Sequence, residues 1–260
     1  MFPSPAQRTF GENLTMRILA ALPLLIVGGI GAVIYSQGQS LDPILWGIIA
    51  FCVALFLYAC IWAAKRRVTI HQEGVSYKSL MNETDLRWDE ITETRYGQQP
   101  VNMYAHFGLI GLLLSLRKGQ NVQRSLQVIG PRIIKITSQI RDNPEAIRLV
   151  LEHVNPRLRQ EAARLLDSGG TVPFGNLALS PVGVIWKGKE PIPYSAIVKS
   201  RIDGALLRIK AEGKWLDNVA VNAKRVPNVF VLLDLVEQRR GALGQMTAAA
   251  MAGSSSSQYL

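Results

Sequence analysis

The sequence predicts an α+β membrane protein: an N-terminal two-helix transmembrane hairpin, then two copies of a strand-rich unit, each closed by a C-terminal helix. Three observations carry that prediction. Residues 18–64 hold a single charged side chain, Asp42. The residues after Arg67 alternate in the manner of strands and contain an internal repeat. Each copy of the repeat ends in a proline followed by a helical pattern. Composition agrees, since the mean hydropathy is +0.14 and only 18% of the 260 residues are charged, against roughly 25% in an average soluble domain. With 48% hydrophobic residues a wholly disordered chain is excluded.

Asp42 divides the apolar stretch into residues 18–36, ILAALPLLIVGGIGAVIYS, and residues 43–64, PILWGIIAFCVALFLYACIWAA. At about 1.5 Å per residue each run approaches the roughly 30 Å of a bilayer core. The residues between them, QGQSLD, have the composition of a turn. A buried soluble hairpin is disfavoured because too little chain remains to cover both runs. A cleaved signal peptide is disfavoured because a second run follows at once. Arg8 and Arg17 precede the first run and Lys65, Arg66 and Arg67 follow the second, while the short loop has no basic residue. That asymmetry predicts a multi-pass inner-membrane protein with both termini cytoplasmic. Gly28 with Ala32, Ala50 with Ala54, and Ala59 with Ala63 are small residues four apart. They suit packing within the hairpin, or a homo-oligomer seam through the transmembrane helices. No charge stands at mid-membrane depth, so the usual mark of an ion path is missing.

In the remainder, VTIHQEGVSYK at 68–78 aligns without a gap to LALSPVGVIWK at 177–187. Gly74 and Gly183 coincide, and the expectation is a hairpin in which Gly supplies a positive φ. After a three-residue difference in length, WDEITETR at 88–95 aligns to YSAIVKSR at 194–201. Asn143-Pro144 and Val226-Pro227 then open the closing helices, with Asn143 as N-cap. The expected division is a segment 1–17, spans 18–36 and 43–64, a first module 68–154, a linker helix 155–169, a second module 170–240 and a disordered tail 241–260. The linker helix should turn Leu158, Ala162, Leu165 and Leu166 to one face. The stretch 101–116 is too short for a third span, and its residues from Leu112 onward are expected to form a strand.

The order of parts, with RWDEI and PYSAI following the first hairpin of each copy, resembles the bacterial pleckstrin-homology-like (PH-like) membrane proteins. TVPFGNLALSPVGVIWKGKEPIPYSAI and VPNVFVLLDLVEQ resemble the domain-of-unknown-function family 6585. The resemblance implies two tandem PH-like small barrels, each closed by its C-terminal helix. It carries over no catalytic residue, and copy one departs from the pattern at 101–116.

No catalytic, cofactor or metal site is expected. His71, His106 and His153 lie far apart in sequence with no ligand at metal spacing. Cys52 and Cys60 both lie in the second apolar run, and motifs for a nucleophile elbow, a phosphate loop or a zinc helix are absent. Asp89, Glu90 and Glu93 read as the solvated face of a strand. Two basic groups remain. Lys65, Arg66 and Arg67 suit contact with anionic lipid beneath the membrane, besides setting topology. Arg117, Lys118 and Arg124 flank the turn at 119–121 and form a second candidate contact for lipid or partner, against the plainer reading of a solvated hairpin tip. Residues 68–260 carry 24 basic and 17 acidic side chains, and this mild, scattered excess disfavours nucleic acid. The expected function is a membrane-tethered, non-enzymatic binding or scaffolding protein whose partners are the lipid bilayer and a membrane or cytoplasmic protein. The alternative is an accessory subunit of a membrane enzyme or transporter complex.

Overall fold

The computed structural model describes residues 8–11, 66–79, 82–100, 122–213 and 216–255, with isolated positions between 28 and 61; residues 100 and 243–255 are described by backbone alone. The first sheet runs in the order β1 (Arg8–Gly11), β2 (Arg67–His71), β3 (Gly74–Lys78), β4 (Glu83–Arg87), all antiparallel. Alternation in β2 turns Val68 and Ile70 inward, and both are buried. A 3-10 turn, Trp88–Glu90, leads into the second sheet of β5 (Glu93–Pro100), β6 (Val122–Ile129) and β7 (Ile133–Ile136), then into helix α1 (Asn143–Asp167).

The same order then repeats. Strands β8 (Val172–Phe174), β9 (Leu177–Leu179), β10 (Gly183–Trp186) and β11 (Ile192–Pro193) form the third sheet. A 3-10 turn, Tyr194–Ala196, precedes the fourth sheet, β12 (Ile197–Asp203), β13 (Leu206–Ala211) and β14 (Val219–Asn222). A last 3-10 turn, Ala223–Arg225, leads to α2 (Val229–Ser255). The two copies share their register as well as their order. Ile70 faces Val75 and Val68 faces Tyr77; Leu179 faces Val184 and Leu177 faces Trp186. Ile91 and Ile197, which end the two aromatic-x-x-Ile segments, are both buried.

Several expectations are corrected. No helix among the described residues is long and apolar enough to cross a membrane. The long helices are α1 and α2, and both are interrupted by charge, α1 by Arg148, Glu152 and Arg157, α2 by Asp234, Glu237 and Arg239. The predicted transmembrane hairpin, and with it the multi-pass inner-membrane location, is therefore not what the structure supports; most of 18–36 and 43–64 lies outside the described residues. The strands make four separate antiparallel sheets of four or three strands, where two closed barrels were expected. Trp88–Glu90 is a 3-10 turn, so Asp89 and Glu90 do not belong to a strand face. The strand expected from Leu112 lies outside the described residues.

Neither Gly74 nor Gly183 has a positive φ. Their requirement is close approach. A Cβ on Gly74 would overlap the Leu86 carbonyl and lie 2.9 Å from the Arg87 Cα, and one on Gly183 would overlap the Ile192 carbonyl. In both copies a neighbouring strand passes where a side chain would stand.

Helix α1 runs unbroken through Pro156, so the closing helix of copy one and the expected linker are one element of 25 residues. Its buried stripe is Ala146, Ile147, Val150, Val154, Leu158, Ala162 and Leu166, at helical spacing, while Leu165 is 46% exposed. Helix α2 continues to Ser255 through the expected tail, where TAAAMA supplies strong helix formers.

The chain divides into two compact units that cut across the sequence copies. One comprises Met1–Arg87 with Ile136–Ala146. Its core is Phe10, Val68, Ile70, Val75 and Leu86 with Ile136 and Ile140. β1 is held at both ends, by the Arg141 N–H, which donates to the Gly11 carbonyl at 2.6 Å, and by the Arg8–Glu145 ion pair at 3.0 Å. The other unit comprises Trp88–Lys135 with Ile147–Leu260. Within it, the turn before α2 fastens to the edge of β5. The Asn228 N–H donates to the Thr94 carbonyl at 2.7 Å, and the Thr94 N–H donates to Asn228 Oδ1, also at 2.7 Å. Asn228 has φ 50°, a conformation Asn tolerates better than most residues.

Candidate functional site

Residues Arg148, Leu151, Glu152, Asn155, Pro156 and Arg159 recur every three or four positions, so the helical period lines them along one side of α1. Phe230 and Asp234 stand one turn apart on α2. Together the eight residues wall an open cleft of about 410 Å³, within the range of about 300–1,000 Å³ of small-ligand and side-chain sites.

The polar groups of the cleft are unevenly matched. Arg148 and Glu152 form an ion pair across one turn. Asp234 and Arg159, both exposed, have no hydrogen-bond or ion-pair partner among the described residues. Asn155 Oδ1 is buried without a donor. Pro156 has no N–H, so the Glu152 carbonyl lacks the donor that an α-helix supplies four residues on. The cleft thus carries unmatched acceptors together with one unmatched cation, Arg159. Phe230, half-buried, is fixed edge-on against Tyr96, with ring centres 4.9 Å apart and planes at 63°. Burial raises the Tyr96 pKa, an effect partly offset by Arg124, and its hydroxyl donates to Gln98 Oε1 at 3.1 Å.

On another face of the same unit, His153 stacks on Trp88 with ring centres 4.7 Å apart, and its Nδ1, assigned as the protonated nitrogen, donates to the Leu149 carbonyl at 2.8 Å. Arg157 donates to the Trp88 and Ile91 carbonyls. These contacts fix the 3-10 turn to α1 and leave no nucleophile–base pair there.

Of the basic residues singled out from the sequence, Arg66, Arg67 and Arg124 lie among the described residues. Lys65 lies outside the described residues, Arg66 donates to Gln139 Oε1 at 2.7 Å, and Arg67 is exposed at the start of β2 opposite Lys78. Arg117 and Lys118 also lie outside them, whereas Arg124 is exposed on β6 opposite Gln98. His71 meets Ser76 Oγ at 2.9 Å. Among the described residues, no three His, Cys, Asp or Glu side chains stand close enough to hold a metal ion. The cleft was missed because Asn155-Pro156 read as a helix start. The signal that could have found it is the polar stripe at 148, 152, 155 and 159, which continues through that proline.

Fold and cleft define the class: a strand-rich protein built twice on a plan of four strands, a 3-10 turn, three strands and a helix, with an open cleft of mixed polar and apolar lining between its two long helices. The chain belongs to the family of unknown function DUF6585, whose model matches residues 5–243. No curated protein and no solved structure matches it.

Proposed function

We propose that this chain is a non-enzymatic binding or scaffolding protein that receives a protein partner in the cleft between α1 and α2. The observation that carries the reading is the cleft itself. It joins an anchored aromatic ring to unmatched hydrogen-bonding groups, which is the composition of a recognition site. Its ionisable side chains lack the paired acid and base, or nucleophile and base, that a chemical step needs. A kinship with PH-like modules is part of the same proposal; it rests on the repeated element order and not on a closed barrel.

The test is to crosslink and isolate the full-length chain from its cells, alongside Phe230→Ala and Asp234→Ala variants that retain the wild-type circular dichroism. A stoichiometric protein partner, lost from both variants, is the expected result. Substrate turnover by the purified chain alone, abolished by one side-chain change, would overturn the proposal.

A further inference from the structure

We infer that the partner segment enters the α1–α2 cleft with a basic side chain, an arginine or lysine. The inference rests on the cleft being the docking surface and names the chemistry that surface selects. Asn155 Oδ1 is buried and unsatisfied, and a buried acceptor without a donor is destabilising until one is supplied. The Glu152 carbonyl, deprived of its helical donor by Pro156, stands one turn away along the same wall. Asp234 adds a carboxylate with no ion-pair partner among the described residues. Three acceptors that want N–H groups match a guanidinium or ammonium, which offers several donors and accepts nothing.

The apolar part of the lining fits the same guest. Leu151, Pro156 and Phe230 provide a floor for an aliphatic stem, and an aromatic ring attracts a cation placed over its face. Arg148 does not oppose entry with a free charge, since Glu152 already pairs with it. Arg159 is the remaining cation and lies three residues beyond Pro156, where it can donate to a main-chain carbonyl of the incoming segment. The two sides of the cleft therefore recognise different parts of one guest, a basic side chain and the peptide backbone that bears it. The chain as a whole carries +10, so distant charges repel such a guest and the local acceptors must hold it.

The probe is a fluorescent pentapeptide, Ala-Ala-Arg-Ala-Ala with blocked ends, titrated into the full-length chain beside the same peptide carrying citrulline. Citrulline keeps the length and planar shape of arginine but exchanges one nitrogen for a carbonyl oxygen, which removes the charge and two of the five N–H donors. A charge-assisted hydrogen bond predicts saturable binding of the arginine peptide about tenfold tighter than citrulline. Asp234→Asn, an exposed and nearly isosteric change, should erase that preference. Asn155→Leu should weaken both peptides.

Equal binding of the two peptides, or a preference that survives Asp234→Asn, overturns the inference. Absence of saturable binding by either peptide also overturns it. In either case, loss of a crosslinked partner in Phe230→Ala would leave the broader docking proposal standing, so the two can fail separately.

Discussion

At the scale of single residues, Asn228 does the most with the fewest atoms. Its Oδ1 accepts from both the N–H and the hydroxyl of Thr94, at 2.7 and 3.2 Å, and its Nδ2 donates to the Thr92 carbonyl at 3.4 Å. Thr94 is buried, so Asn228→Ala leaves its N–H without a partner at a cost of about 1–3 kcal/mol. Asn228→Asp keeps the acceptor and should cost less. Denaturant midpoints of the two variants check this, and equal losses would show that the side-chain bonds are immaterial. Tyr194 supplies a pH signature. Burial pushes its pKa up from 10.0 to about 12, with Arg239 opposing, and its hydroxyl donates to the Ser180 carbonyl at 2.8 Å. The folded chain then holds a proton that the unfolded chain releases, so this contribution is intact below pH 10 and lost as pH rises from 10 toward 12. Melting temperatures of the wild type should fall more steeply across that interval than those of Tyr194→Phe.

At the scale of elements, the two equivalent hairpins depend on a missing side chain for the same reason. Gly74 faces Arg87 across β3 and β4, and Gly183 faces Pro193 across β10 and β11. Gly74→Ala and Gly183→Ala should each destabilise by about 1–3 kcal/mol or more, since the crowding atoms are backbone and cannot rotate away. Gly11→Ala is the control. It meets nothing within 4 Å and should shift stability by less than about 1 kcal/mol. Comparable losses at all three positions would refute the close-approach account. Helix α1 shows the converse case, in which local chemistry is overridden. Pro156 disfavours an interior helical position by about 3 kcal/mol, yet the stripe from Ala146 to Leu166 is buried on both sides of it. Burial of those side chains, each contributing on the order of 1.5–3 kcal/mol when large and apolar, outweighs one lost hydrogen bond.

At the scale of the whole molecule, the pairing of β1 with β2 brings Gly11 opposite Arg67. Residues 12–66 therefore leave and re-enter one antiparallel pair at a single place. Replacing them with Asn-Gly, a two-residue turn suited to such a pair, should leave the β1–β4 sheet folded. Val68, Ile70 and Val75 should stay protected, because the strands that pair around them are all retained. Hydrogen exchange at Val68, Ile70 and Val75 measures this directly, and loss of protection there would mean that the sheet requires the excised segment.

What the sequence determined by itself was local. The hairpins at 68–78 and 177–187, the match of 88–95 to 194–201, and the turns opening α1 and α2 were legible because alternation, glycine and proline act over a few residues. The apolar runs at 18–36 and 43–64 were equally visible, but hydropathy reports only what a segment prefers as solvent and assigned them a membrane role that no described helix fulfils. Tertiary structure decided everything joined across distance: β1 against β2, Asn228 on the edge of β5, four open sheets in place of two closed barrels, and a cleft whose two walls lie more than seventy residues apart. Such contacts leave no periodic trace, since each residue in them satisfies its own local pattern whether or not its distant partner arrives. The physical reason is that hydrogen-bond edges and buried acceptors are recognised by complementarity in space, which one-dimensional spacing does not encode.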